Sequence, residues 1–332
     1  MSTRREFFKR ALTGSAAAAG AVVCPQVQAR SNAQISPDAV GLLFDSTLCV
    51  GCKACVAACK RENNLPLDYN TPDDSPWDLP LDTNARTFNV IKAYKDGAAT
   101  VKDAEQGGYA FMKSSCLHCV DPSCVSACPV TAMTKDPVTG IVQYDADACI
   151  GCRYCVAACP FGIPKYDYSS PTGKIAKCEL CRHRVKDGHY AACAEVCPTG
   201  ATLYGKVADL KAEAKRRLAL KPGQATRFPR GNISGGPDRS WEGAAARYIQ
   251  RTYGETEIGG TQMLKLAAVP FEKLGQPTLP DRSFASQSET LQHTLYGGLV
   301  LPLVVLGAMA YVAKRNVKPA GEHDEEVRDE RA

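Results

Sequence analysis

The chain has 332 residues, 45% hydrophobic and 23% charged, which is enough apolar material for a core and too mixed for a disordered or fibrous protein. Its net charge of +5 is small for this length and is not gathered into one basic block, which argues against a nucleic-acid surface. Aromatic residues are sparse at 7%, whereas 17 cysteines stand among 21 prolines and 27 glycines, so cysteine is where chemistry is sought.

Residues 1–29 read as a twin-arginine export signal. The pair Arg4-Arg5 precedes Phe7-Phe8-Lys9, an alanine-rich apolar stretch follows over residues 11–23, and Val27-Gln28-Ala29 supplies a small-residue cleavage pattern. The mature chain is expected to start at Arg30; Cys24 leaves with the signal, and 16 cysteines remain. Residues 30–205 are expected to form a ferredoxin-like domain. In it a short strand over 41–44 precedes a first cysteine group, Cys49, Cys52, Cys55 and Cys59. Residues 60–86, rich in Asn, Pro and Asp, read as an inserted loop, with strands at 87–94 and 109–113; such insertions make partner surface. A second group follows, Cys116, Cys119, Cys124 and Cys128, then a turn at Thr139-Gly140 and a strand over 141–144. The third group is Cys149, Cys152, Cys155 and Cys159, and the fourth is Cys178, Cys181, Cys193 and Cys197, with a strand over 201–204.

Residues 206–290 read as a helix and then a largely irregular segment. Asp209 is expected to cap the helix, Pro222-Gly223 to stop it, and a strand is expected over 263–269; the rest is a tether or an arm over a partner subunit. Residues 294–313 are 20 uncharged, mostly apolar residues, long enough to span a bilayer. Pro302 and the glycines at 297, 298 and 307 are tolerated better in a membrane helix than in a soluble one. Lys314, Arg315 and Lys318 place the C-terminus in the cytoplasm by the positive-inside rule and the globular body on the other side. Residues 314–332 read as a charged, solvated cytoplasmic tail.

The cysteine spacing carries the chemistry. Groups one and three read C-x2-C-x2-C-x3-C, the run in which three closely spaced thiolates hold one [4Fe-4S] cube and the fourth reaches another. Group two widens one gap to four residues, and group four carries an eleven-residue excursion between Cys181 and Cys193. Pro129, Pro160 and Pro198 follow the last cysteine of three groups, where a residue without an N–H and with fixed φ turns the chain away; the first group ends in Cys59-Lys60 instead. CVGCKACVAAC at 49–59 matches CIGCRYCVAAC at 149–159, a duplicated unit. A disulfide scaffold fits poorly, because such scaffolds are short chains and adjacent C-x2-C pairs suit independent bridges badly. Paired zinc knuckles do not explain four repeated runs with trailing prolines, and no C-x-x-C-H supports covalent haem.

Export and clusters explain each other. Thiols threaded unfolded into an oxidising compartment tend to become disulfides, whereas the twin-arginine route carries folded, already loaded cargo. Each all-cysteine cube carries about −2, and Lys53, Lys60, Arg61, Arg153, Lys165, Lys174, Lys177, Arg182 and Arg184 stand near the cysteines to offset it. His118 lies inside a complete four-cysteine group, so it is read as supporting the site or facing solvent. No phosphate-binding loop, nucleophile elbow or metal triad is present, so no catalytic residue is assigned. The residues therefore describe a membrane-tethered polyferredoxin passing single electrons between a catalytic partner outside the membrane and an acceptor within it. The reading from a different class is an assembly and anchoring subunit whose clusters are structural.

The segments DSTLCVGC (45–52), CLHCVDPSCVSACPV (116–130), CRYCVAACP (152–160), KCELC (177–181) and QHTLYGG (292–298) give the chain a resemblance, over nearly its whole length, to the iron-sulfur subunits of bacterial periplasmic respiratory oxidoreductases. It most resembles those of nickel-iron uptake hydrogenases with a C-terminal membrane helix. The resemblance implies an α+β fold of tandem bacterial-ferredoxin-like modules with inserted loops, plus one C-terminal transmembrane helix, and four [4Fe-4S] clusters. It implies that groups one and four share ligands, as do two and three. Cys49, Cys52, Cys55 and Cys197 would hold one cube and Cys178, Cys181, Cys193 and Cys59 its neighbour; Cys116, Cys119, Cys124 and Cys159 a third; Cys149, Cys152, Cys155 and Cys128 the fourth. The implied partners are hydrogenase small and large subunits and a multi-helix quinone-reactive membrane subunit, with menaquinone beyond it. A molybdenum oxidoreductase or a nitrite reductase is the alternative catalytic partner.

Overall fold

A computed structural model describes residues 30–66, 80–170, 172–237 and 239–316; the expected export signal, half of the expected inserted loop and residues 317–332 of the expected charged tail lie outside the described residues, while residues 314–316 of that tail are the end of a helix. Ser31–Ser286 form one compact unit. Strand β1 (Val40–Asp45) opens it and leads through one 3-10 turn to the first cysteine group, whose second half is helix α1 (Ala54–Glu62). An antiparallel pair, β2 (Asn89–Lys95) and β4 (Gly108–Ser115), with the two-residue β3 (Val101–Lys102) beside β4, fills the stretch before the second group. That group contains the single turn α2 (Ser123–Ser126) and ends on the hairpin of β5 (Met133–Lys135) and β6 (Val142–Tyr144). The third group contains α3 (Tyr154–Ala158), and a two-stranded ribbon of β7 (Lys165–Tyr166) and β8 (Ile175–Ala176) leads to the fourth. There α4 (Arg182–Lys186) and α5 (Ala192–Glu195) precede β9 (Thr202–Lys206) and helix α6 (Val207–Leu218). The chain then adds a hairpin, β10 (Ala225–Asn232) with β11 (Arg239–Ala244), and a last strand β12 (Met263–Leu266), before the long helix α7 (Phe284–Asn316).

The main sheet runs β11-β10-β9-β1-β12, with β1 antiparallel to β9 and parallel to β12. Strand alternation sorts β1 between two cores. Leu43 turns to Leu203, Leu264 and Leu266 and to Leu210 and Ala214 of α6, whereas Leu42 and Phe44 join Cys49, Cys55, Cys193 and Cys197 on the other face. The strand entering the cysteine loops is thus held by an apolar layer behind it. Gly41 permits the close approach of the β12 side: a Cβ there would lie 2.0 Å from the backbone oxygen of Gln262, which accepts the Leu42 N–H at 2.9 Å. Gly41→Ala is expected to lower stability by about 1–3 kcal/mol through this overpacking. A denaturant midpoint equal to wild type for the cluster-loaded chain would contradict it.

The expected strands before and after the cysteine groups form within a few residues of their expected places. Three features differ. Helix α6 begins at Val207, with Asp209 inside its first turn accepting the Ser234 hydroxyl; the Val207 N–H goes to Ala39 O at 2.9 Å, so β9 passes straight into the helix without an aspartate cap. The stretch read as largely irregular contains the β10–β11 hairpin, in which Phe228 faces Trp241 with ring centroids 5.3 Å apart. Pro229 and Gly231 within β10 mask that strand in the sequence. The strand expected over 263–269 is shorter, and its partner is β1. Helix α7 runs through Pro302 and is long and apolar enough to cross a membrane, with Leu295, Leu299, Leu303 and Leu306 all exposed.

Candidate metal centres

The four cysteine loops share one local geometry. The residue before the second cysteine of each group, Gly51, His118, Gly151 or Leu180, has φ of +71°, +48°, +73° or +51°. In three of the loops this left-handed residue folds the turn back so that its own N–H meets the first sulfur: Gly151 N donates to Cys149 Sγ and Leu180 N to Cys178 Sγ, both at 3.4 Å, and the Gly51 N–H favours the Cys49 thiolate. Glycine takes this conformation freely; His118 and Leu180 hold it at a cost of about 1 kcal/mol or more. The last cysteines of groups two and four are also treated alike. Cys128 Sγ accepts Met133 N at 3.5 Å and Cys197 Sγ accepts Thr202 N at 3.4 Å, in each case five residues on, where β5 or β9 begins.

Strand pairing brings the groups together. β1 precedes group one and pairs with β9, which follows group four; β6 precedes group three and pairs with β5, which follows group two. Each pairing delivers the last cysteine of one group to the first three of another. One cavity is lined by Cys49, Cys52, Cys55 and Cys197. A second is lined by Cys59, Cys178, Cys181 and Cys193, and a third by Cys128, Cys149, Cys152 and Cys155. Cys116, Cys124 and Cys159 are the thiols whose charges act on Cys119, completing a fourth set. The sets succeed one another. Cys55 of the first feels Cys193 of the second, Cys178 of the second feels Cys116 of the third, and Cys124 of the third feels Cys155 of the fourth.

The donor chemistry suits a cationic core larger than one ion. All sixteen cysteines are free. Burial, reinforced by neighbouring thiolates, pushes the Cys55, Cys155 and Cys181 thiols up to about 11 and those of Cys49, Cys59 and Cys124 up to about 12. Four thiolates in one such cavity therefore need positive charge among them. Among the described residues no three His, Cys, Asp or Glu side chains converge on a single ion position, and a tetrahedral zinc would need its thiolates at about 2.3 Å. Sulfurs spread around a cavity fit an iron-sulfur cube.

Buried cations complete the site. Lys113 on β4 is fully buried, lines the Cys59 cavity, and its Nζ has no hydrogen-bond partner, the orphaned donor expected where an anionic group belongs. Lys177 Nζ donates to Val142 O at 2.5 Å and to Cys178 O at 3.1 Å. Lys135 Nζ donates to Cys119 O, Gly140 O and Gln262 Oε1 at 2.9, 2.6 and 2.7 Å; burial lowers its pKa to about 8 against the pull of Cys119 and Cys116. Lys113 and Lys135 escape a reading of the sequence because they lie on strands outside the cysteine loops. The one trace is that Met112 and Lys113, on opposite faces of β4, are both in positions that end up buried.

The basic residues noted beside the cysteines divide. Lys60 is buried, its Nζ donating to Pro66 O and Arg86 O at 2.8 and 2.9 Å, and Lys174 donates to Cys149 O at 3.1 Å. Lys53 and Arg153 occupy the same left-handed position ahead of α1 and α3, and Arg153 lies over the Tyr166 and Tyr168 rings. Arg61, Lys165 and Arg182 pair with Glu62, Asp82 and Glu179, and Arg184 ties Glu62 to Glu195, so these four serve the loops' own folding. His118 does not face solvent: it is 1% exposed, its Nδ1 accepts the Val142 N–H at 3.0 Å, and burial with Lys177 and Lys135 nearby keeps it neutral.

Residues 108–207 match the family described as 4Fe-4S dicluster domain. The chain is 46% identical over 319 residues to hydrogenase-2 operon protein HybA of Escherichia coli O157:H7, covering 95% of this chain and 96% of that protein. It is 34% identical over 180 residues to a formate dehydrogenase iron-sulfur subunit of Haemophilus influenzae, covering 54% of this chain and 55% of that one. It is 36% identical over 180 residues to the formate dehydrogenase-O iron-sulfur subunit of Escherichia coli K12, covering 54% and 57%.

Proposed function

Because this chain belongs to the HybA family of iron-sulfur proteins, we propose that it is the electron-transfer subunit of a periplasmic nickel-iron uptake hydrogenase, carrying four [4Fe-4S] clusters in two ferredoxin-like modules. The observation that carries this reading is the succession of four cysteine sets, each drawn from two sequence groups and each within electrostatic reach of the next. A cysteine-ligated cube supplies reversible one-electron storage, with a potential set by hydrogen bonds, charge and exposure. The chain's part is to fix and tune that group. Cys49, Cys52, Cys55 and Cys197 would hold the first cube, Cys59, Cys178, Cys181 and Cys193 the second, Cys116, Cys119, Cys124 and Cys159 the third, and Cys128, Cys149, Cys152 and Cys155 the fourth. N–H groups of Gly51, Gly151, Leu180, Met133 and Thr202 steady the sulfurs, and Lys113, Lys135 and Lys177 offset their charge.

In this reading the body lies in the periplasm after twin-arginine export, α7 spans the membrane with its C-terminus in the cytoplasm, and electrons from hydrogen pass from the hydrogenase small and large subunits to a quinone-reactive membrane subunit and menaquinone. The exposed apolar surface of α7 and its basic end at Lys314 and Arg315 support the anchor. The test is to solubilise membranes gently, capture the chain by a tag after Ala332, and assay hydrogen-dependent reduction of a quinone analogue. Co-capture of hydrogenase with that activity is the expected result. The formate dehydrogenase subunits it resembles define the competing outcome: capture of such an enzyme without hydrogenase would overturn the partner and keep the relay.

A further inference from the structure

Among the described residues Lys113 is the one fully buried lysine whose Nζ has no hydrogen-bond partner, and it lines the cavity of Cys59, Cys178, Cys181 and Cys193. Cys59, Cys178 and Cys193 of the second set and Cys55 of the first act on it. Lys113 stands directly opposite Ile91 on the β2–β4 ladder, so the two side chains share a face; Ile91 lines the first cavity while Lys113 lines the second. The neighbouring buried Lys265 is instead engaged by Gln276 Oε1. The Lys113 side chain is fully buried and has no carboxylate, carbonyl or hydroxyl within hydrogen-bond reach.

We propose that Lys113 is a shared counter-cation for the first two clusters, a positioning residue that supplies one fixed positive charge and its N–H donors to both cysteine sets and raises the potential of the two cubes together. The proposal rests on the ligand sets assigned above. Adding an electron makes a cube more negative by one charge, and a cation in a low-dielectric interior favours that state more than the oxidised one. The third set has its own cations in Lys135 and Lys177, and neither the third nor the fourth set's cysteines are among the groups that act on Lys113. Sharing one cation also couples the pair, since each reduction uses the same positive charge.

The experiment is a redox titration followed by electron paramagnetic resonance, with iron and sulfide counted, on the full-length chain in its membrane complex and on Lys113→Met, Lys113→Gln and Lys113→Arg. In the methionine and glutamine variants two of the cubes are expected to be harder to reduce by about tenfold in the reduced-to-oxidised ratio, about 59 mV for a one-electron couple. The other two should be unmoved, and arginine should restore both midpoints. Should methionine prevent cube insertion, the glutamine variant decides: wild-type midpoints there, or an equal shift of all four cubes, overturn the proposal. Failure of the ligand assignment itself shows separately, as a wild-type iron count that does not correspond to four cubes.

Discussion

Replacing Cys155 by serine is expected to stop hydrogen-dependent quinone reduction while leaving hydrogen-dependent reduction of an artificial dye at the catalytic subunit intact. Cys155 is buried in α3, shares its cavity with Cys128, Cys149 and Cys152, and belongs to the last set of the succession. A serine hydroxyl is a much poorer ligand for iron than a thiolate and is costly to bury unpaired, so the set would lose its cube. The other three sets keep their cysteines, and the β1–β9 pairing that assembles the first two is remote from the change. Quinone reduction should fall by about 100-fold, at or beyond the loss seen when groups supporting a metal site are removed. One resonance component and one cube's iron should disappear with it. Unchanged quinone reduction with a full iron complement would refute the role given to Cys155 and to the end of the relay.

The same residue shows how much of this molecule is legible in sequence. Cys155 stands in a run whose spacing alone points to iron-sulfur chemistry, because a cube needs several thiolates from one tight loop, and that requirement is local. Gly51 and Gly151 are legible for the same reason: the turn that brings an N–H back to sulfur needs positive φ. Leu180 does the same work without glycine, and His118 takes the same left-handed conformation, both held by burial that no local pattern reveals. The gathering of Cys197 with Cys49, or Cys128 with Cys149, depends on strands pairing across long separations, and the sequence supports it only through likeness to a family. Lys113 is the extreme case. On its strand it reads as an ordinary solvent-facing lysine, and only the assembled fold surrounds it with sulfur. The β10–β11 hairpin was hidden by a proline in mid-strand, and there tertiary packing of Phe228 under Arg217 outweighs the local signal.

Charge inside the unit follows one logic. The buried lysines near the cysteine sets face sulfur or carbonyl groups, whereas the arginines there pair with carboxylates that fasten loops and helices. Glu62 and Glu195, both on Arg184, close the excursion between Cys181 and Cys193, so the insertion that departs from the simple ferredoxin spacing is stapled by its own ion pairs. The extra loop therefore leaves Cys193 free to stand beside Cys59 and Cys181.

The largest effect on stability is expected from Asp45, which closes β1 four residues before Cys49. It is fully buried: Oδ2 accepts from Arg217 Nη1 and from the Tyr248 hydroxyl, both at 2.8 Å, and Oδ1 accepts from the Thr47 N–H and hydroxyl at 3.0 and 2.6 Å. Arg217 is also fully buried and is held besides by Glu213 at 2.7 Å. Removing one member of such a pair leaves an uncompensated buried charge, so Asp45→Ala should cost about 3–5 kcal/mol, whereas Asp45→Asn, which keeps an acceptor for Thr47 or Tyr248, should cost less. The pH dependence has a definite sign. Burial raises the Glu213 pKa, but Arg216 and Arg217 outweigh it and hold the carboxyl below its ordinary value. Its contribution is therefore complete above the ordinary carboxylate pKa and is lost as pH falls through the depressed one. Denaturant unfolding followed by near-ultraviolet circular dichroism at neutral and acid pH measures both effects, and iron content reports the consequence for the site. Because the Asp45–Thr47 bonds shape the turn that delivers Cys49, the alanine variant should lose the first cube before the others; equal loss from all four would show that Asp45 supports only the unit as a whole.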